Sequence, residues 1–269
     1  MKRKLVIGLI CCPLVLIAQQ TVKVKKTIEN SRRIESYTVL KSDHKIRHGH
    51  YQLILDDHIL ENGYYKNGLK DSLWQSYLQC GILKSDGYYK NGLKDSLWHS
   101  YNSGATLISA GMYKENQQVG NWNFYNRKGL LEQTYDFTNQ KILYFLPYEE
   151  PGKEQKHSVL INNEYKVVIL DRPALYIGGT EALSNDFIYK VKVPHEAYES
   201  GQSGLVVVQL SINEKGEVTD YEINKSYGYG LDEEVLRAVK TLKHWLPAIY
   251  QEKEIASKIN IPFSLKIIK

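Results

Sequence analysis

Side chains with metal-ligating or nucleophilic character are few in this chain and poorly spaced for chemistry. His44, His48, His50 and His58 gather near Asp56 and Asp57, and His48 and His50 at i, i+2 would share one face of a strand. No thiolate supports them and the spacing matches no zinc pattern, so a solvated polar strand is the better reading and no metal is expected. Cys80 has no base constellation around it and reads as a small apolar filler in a turn. There is no Gly-x-Ser-x-Gly, no phosphate loop and no His-Glu-x-x-His, and Gly228-Tyr229-Gly230 lacks the third glycine of a nucleotide site. The chain is therefore not expected to be an enzyme, nor to carry a cofactor.

The chemistry that remains is that of the main chain. From Ile255 to Ile267 the sequence alternates without a break. Ile255, Ser257, Ile259, Ile261, Phe263, Leu265 and Ile267 fall on one face and Ala256, Lys258, Asn260, Pro262, Ser264 and Lys266 on the other. Pro262 has no N–H to give, which marks the segment as an edge strand able to pair with another chain. The candidate partner-binding residues are Lys258, Asn260, Ile261, Pro262, Phe263, Ser264 and Lys266.

The elements that must hold this strand can be read upstream of it. Leu205–Asn213 alternates, and a Glu214-Lys215-Gly216 turn leads into Glu217–Lys225, which predicts a hairpin. A helix follows, with Leu231, Val235, Leu236, Val239 and Leu242 on one stripe, acids in its first turn and Lys240, Lys243 and His244 in its last. A shorter helix precedes the hairpin, punctuated by Gly178 and Gly179, capped by Thr180 and ended before Pro194. Helix, two strands, helix and strand give helices packed on a three-stranded antiparallel sheet.

In that order RPALYIGGTEAL, VPHEAY, GLVVVQLSINEKGEV, LDEEVLRAVK, HWLPA and INIPFSL resemble the C-terminal domain of TonB over residues 172–267. Two departures stand out: Val193 where the family usually has tyrosine, and Ile249-Tyr250-Gln251-Glu252 where a glycine usually follows the Trp-x-Pro. The resemblance implies a periplasmic domain that grips an outer-membrane receptor segment by strand addition, and a part in TonB-dependent transport. A structural envelope scaffold is the alternative.

Between Gly63 and Thr134 the chain repeats every 24 residues. Gly63, Gly87 and Gly111 align, as do Tyr65/89/113, Trp74/98/122 and Tyr77/101/125, with a worn copy over Val39–Asn62 and the start of another at Tyr135–Tyr144. Asn67-Gly68 and Asn91-Gly92 are hairpin turns, so each unit should be a β-hairpin whose aromatic residues line up on stacking. The units resemble the MORN-like variant repeat, a scaffold, with Ser72 and Ser96 where Gly120 keeps that family's glycine.

The amino end, Lys2-Arg3-Lys4 before an apolar run from Leu5 to Ala18, reads as a secretory signal peptide. The run would reach only ~21 Å, short of a ~30 Å hydrocarbon core, and Pro13 interrupts it. Partners among inner-membrane motor proteins would require it to stay uncleaved. The formal net charge of +5 owes much to that end and does not describe a nucleic-acid binder. The expected organisation is α+β: a signal peptide at 1–18, an all-β hairpin-repeat domain at 35–146, a linker with an extra hairpin at 147–171, and the TonB-like domain at 172–269.

Overall fold

A computed structural model describes residues 19–29, 31–147, 156–201 and 203–265. The signal peptide expected at 1–18 lies outside them. Among the described residues strands make up 57% and helices 11%, so the molecule is mostly β and its α+β character is confined to the second half. The first half is one antiparallel meander: β1 (Thr21–Thr27), β2 (Arg33–Leu40), β3 (Arg47–Leu55), β4 (His58–Lys66), β5 (Leu69–Tyr77), β6 (Leu83–Lys90), β7 (Leu93–Tyr101), β8 (Leu107–Lys114), β9 (Gln117–Tyr125), β10 (Leu131–Asp136) and β11 (Lys141–Phe145). It starts at Thr21, two strands before the first recognisable repeat. At the tight turns Asn67-Gly68 (φ 51° and 86°), Asn91-Gly92 (51° and 84°) and Glu115-Asn116 (51° and 70°), both central residues are left-handed, which matches the twist of the strands they join. Cys80 sits exposed between β5 and β6 and fills no apolar space, contrary to the reading from sequence.

The period of 24 turns the aromatic residues into a single file. Tyr65, Trp74, Tyr89, Trp98, Tyr113 and Trp122 follow one another edge to face, with ring centroids 5.2, 5.9, 5.2, 5.8 and 5.1 Å apart. Each indole N–H donates to the carbonyl ten residues back: Trp74 to Tyr64 (2.9 Å), Trp98 to Tyr88 (3.0 Å) and Trp122 to Met112 (3.0 Å). The aligned glycines make the space for the rings. A Cβ built on Gly63, Gly87 or Gly111 would stand 2.3, 2.1 or 2.2 Å from the Cδ2 of Trp74, Trp98 or Trp122.

Ser72 and Ser96 occupy left-handed backbone (φ 61° and 60°), as does Gly120 (60°) at the same point of the next repeat. A side chain in that region costs about 1 kcal/mol that glycine avoids, part of which glycine returns through its freer unfolded chain. Ser96→Gly is therefore expected to stabilise the array by about 0.5–1 kcal/mol, read as a higher urea midpoint; a lower midpoint would contradict this account of the turn.

The second half begins with the hairpin β12 (Lys156–Ile161) and β13 (Glu164–Ile169), turned at Asn162-Asn163 (φ 54° and 63°). Then come β14 (Leu175–Tyr176), α1 (Gly179–Ile188), α2 (His195–Ser200), β15 (Gly204–Ile212), β16 (Val218–Lys225), α3 (Leu231–Val239), β17 (Trp245–Leu246), β18 (Ala248–Tyr250), β19 (Lys253–Ile255) and β20 (Ser257–Leu265). The main sheet runs β13-β12-β20-β15-β16. The expected three strands are present as β20, β15 and β16, and the hairpin assigned to a linker is the other part of this sheet. One core unites Val206, Val208, Leu210 and Ile212 of β15 with Leu231, Val235, Ala238 and Val239 of α3 and with Phe187 of α1. Where the glycine after Trp-x-Pro is missing, Gln251 and Glu252 turn in left-handed backbone (φ 51° and 63°) and make the β18–β19 hairpin.

The helices depart from expectation at their ends. α3 stops at Val239, so Leu242 packs in the core from beyond the helix and Arg237 is the basic residue of the last turn. Asp232 braces the loop ahead of α3, accepting from Ser226 Oγ and from the N–H groups of Tyr227 (2.9 Å) and Gly228 (3.2 Å). Burial alone would raise its pKa; these bonds outweigh it and hold the carboxyl below the ordinary range. A second short helix, α2, follows Pro194.

Thr180 does not cap α1. Its N–H and hydroxyl donate to Glu132 of β10, at 3.0 and 2.8 Å, so the first half supplies the acceptor at this helix start. Beside it Gln133, 2% exposed, uses both ends of its amide: Nε2 donates to the Tyr176 carbonyl (3.2 Å) and Oε1 accepts from the Gly178 N–H (2.7 Å). Arg127 pairs with Glu181 at 2.7 Å. Gln133→Leu leaves a buried donor and acceptor unmatched, a cost of about 1–3 kcal/mol each. The expected outcome is that thermal unfolding by calorimetry separates into two transitions; a single transition at the parent temperature would contradict the docking role given to Gln133.

Candidate functional site

The site is built on β20. Its alternation is realised: Phe263 is buried against Phe187, ring centroids 4.3 Å apart, and Ile255, Ile259 and Ile261 pack on the same core. Ser257 is buried in the same row, its hydroxyl without a hydrogen-bond partner among the described residues. Asn260, Pro262 and Ser264 are exposed on the other face, where Asn260 Oδ1 accepts from Gln209 (3.2 Å) and Asn224 (2.9 Å). Of the residues singled out from sequence, Ile261 and Phe263 thus give their side chains to the core, and Lys266 lies outside the described residues.

Along one flank β20 pairs with β15 from Ser257↔Ile212 to Leu265↔Gly204. On the other flank it meets β12, but the ladder holds only Lys258↔Ser158 and Ser257↔Val159, with the Leu160 N–H donating to the Ala256 carbonyl at 2.9 Å. The edge strand expected over Ile255–Ile267 is therefore corrected in part. Lys253–Ile255 belongs to a separate hairpin, and β20 is interior at Ser257 and Lys258. From Ile259 to Leu265 no strand among the described residues pairs with the flank opposite β15.

The Leu160–Ala256 bond sets which main-chain groups face which way. A strand residue points its N–H and C=O to the same side and its neighbours point to the other, so Lys258, Asn260, Pro262 and Ser264 face the flank that β12 begins to cover. Ile259, Ile261 and Phe263 face β15. Pro262, opposite Val207, therefore removes no donor from the β15 ladder. This flank, unpaired among the described residues, offers N–H from Asn260 and Ser264 and C=O from Asn260, Pro262 and Ser264.

The same parity describes the outermost strand. β13 pairs with β12 through Glu164, Lys166 and Val168, which turns the main chain of Tyr165, Val167 and Ile169 to the sheet edge. Sequence reasoning had the Asn162-Asn163 turn in hand but missed this hairpin's place, since no local pattern states which sheet a hairpin joins.

The histidines serve the repeat sheet. His48 Nδ1 lies 3.2 Å from Asn67 Oδ1 and His50 Nε2 2.7 Å from Asn62 Oδ1, and no group of three or more potential metal ligands occurs among the described residues. No helix among these residues is long and apolar enough to cross a membrane.

Residues 190–267 match the family described as Gram-negative bacterial TonB protein C-terminal. This segment is a TonB C-terminal domain. The match takes in α2, β15, β16, α3 and β20, and leaves the β12–β13 hairpin and α1 before it. The TonB C-terminal family is one of protein-interaction domains, not of enzymes, and its members are associated with the cell envelope. No curated protein matches the chain. Among solved structures, "Crystal structure of GtfA/B complex bound to UDP and GlcNAc" is similar at 12% identity and a TM-score of 0.19, over 45% of this chain and 22% of that one. The chain thus spans under a quarter of that protein's length.

Proposed function

We propose that this protein works in the periplasm as a TonB-like binder of outer-membrane receptors. A short extended receptor segment adds as a strand to β20, beside Asn260, Pro262 and Ser264. The observation that carries this reading is the half-open flank of β20 within a segment that matches the TonB C-terminal family. Main-chain bonds would supply affinity, and the exposed side chains of Asn260 and Ser264 with the half-buried Lys258 would set register. With few donors and acceptors open, the guest is short.

The β12–β13 hairpin favours a second reading, an envelope scaffold. It already takes the start of the flank, and a chain that pairs its own strand there has less need of a guest. Titration of the full chain with synthetic amino-terminal segments of TonB-dependent receptors, followed by calorimetry, separates the two. Receptor binding predicts saturable association that survives Val167→Pro, a change confined to the β13 edge. No association with any segment supports the scaffold, and loss of binding in Val167→Pro would move the site to β13. Coupling to an inner-membrane motor further requires residues 1–18 to be retained, which the mass of the protein recovered from the envelope decides.

A further inference from the structure

We propose that the cleft between the aromatic face of the array and α1 is a second binding site, for an acidic peptide segment whose carboxylate seats on Lys94. The site is separate from β20 and does not depend on the strand-addition reading. The cleft has a volume of about 1060 Å³; one wall carries Lys94, Trp98 and Tyr113, the other Asn185 of α1 and Tyr189 just beyond its end.

The repeat itself shows what is missing there. In the preceding unit Lys70 Nζ lies 3.8 Å over the Trp74 ring and pairs with Glu61 at 3.6 Å. One period later Lys94 Nζ lies 4.3 Å over Trp98 and 4.8 Å from the Tyr113 ring centroid, but the position of Glu61 is taken by Ser85. The Lys94 ammonium has no hydrogen bond or ion pair among the described residues. Burial, and then the charge of Lys70, lowers its pKa, as expected of a cation lacking a counterion. Ser100 and Ser109 also line the cleft and can bond to a guest's main chain, beside Ser85, whose hydroxyl already bonds to that of Ser76 (2.7 Å).

The acidic groups on the α1 wall are already engaged, Glu181 by Arg127 (2.7 Å) and Asp186 by the Tyr176 hydroxyl (2.6 Å). Lys84, exposed at the rim with no ion pair among the described residues, adds to the positive balance. A peptide fits better than a glycan. Trp98 and Trp122 are only 7% and 3% exposed and meet Tyr113 edge to face, so no open ring face is left for a sugar. Ile188 at the end of α1 and Tyr189 just after it, both exposed beside the cleft, offer apolar contact to a residue next to the acid.

The test is fluorescence anisotropy of the full chain with a labelled peptide of glutamate, serine and leucine and with its glutamine counterpart. The acidic peptide is expected to bind at least about tenfold more tightly, the usual weight of a charge-assisted pair. Lys94→Met should remove that preference and Lys70→Met should not. Ser85→Glu sets a carboxylate beside Lys94 one period on from the Glu61–Lys70 pair, at the loss of the Ser76–Ser85 hydroxyl bond, so the chain should stay folded and lose the peptide. Equal binding of both peptides, parent-like binding by Ser85→Glu, equal loss in Lys70→Met, or Lys94-dependent binding of glycan strands in place of the peptide would each overturn the proposal.

Discussion

A Gly87→Ala chain is expected to lose about 3 kcal/mol of stability in the repeat array, the top of the range for overpacking, although only one methyl is added. The added Cβ would stand 2.1 Å from Trp98 Cδ2, 2.4 Å from Cε2 and 2.5 Å from Cγ, so it meets the body of the ring and not a movable end. The ring has nowhere to shift. It is held by Tyr89 and Tyr113 on its two sides and by its own N–H on the Tyr88 carbonyl. A double-mutant cycle isolates the cause. Trp98→Ala alone should cost about 3–5 kcal/mol, and adding Gly87→Ala to it should cost almost nothing further, because the clash has gone. Urea denaturation followed by tryptophan fluorescence measures all three. If the two changes were additive, glycine would be needed at that position for some reason other than room for the ring.

The second large effect is on recognition. Asn260→Pro is expected to leave the chain folded and to weaken receptor-segment binding by about tenfold or more, the weight of a lost main-chain donor plus the bulk of the ring at the contact. Its N–H faces the open flank, so the β15 ladder keeps its bonds, as it does beside Pro262. The cost to the fold is two exposed side-chain bonds, from Gln209 and Asn224. Ile261→Asp is the counter-case: its side chain packs on the core and its N–H belongs to β15, so it should unfold the domain. Parent-like affinity in a folded Asn260→Pro chain would contradict the assignment of this flank.

The strands β15, β16 and β20 and the start of α3 were legible because each is stated by a local period, two for the strands and about four for the helix. The repeat was legible for the same reason at longer range, and its Asn-Gly turns lie where both residues are left-handed. What could not be read is what depends on distant partners. Thr180 had the right type to cap α1, yet Glu132 and Gln133, some fifty residues away in sequence, supply the acceptors. Leu242 fits the helical stripe but packs after the helix has ended. Within the candidate site, the residue types and faces were plain, while the direction of the Pro262 main chain hung on a single long-range bond, Leu160 to Ala256.

Amide hydrogen exchange at Asn260 and Ser264, followed by NMR with and without a receptor's amino-terminal segment, tests the central claim most directly. In the free chain these two N–H groups should exchange quickly while Ile259, Ile261 and Phe263 are protected by β15, and the added segment should slow both. Slow exchange at Asn260 and Ser264 in the free chain, or unchanged fast exchange with the segment bound, would contradict the account.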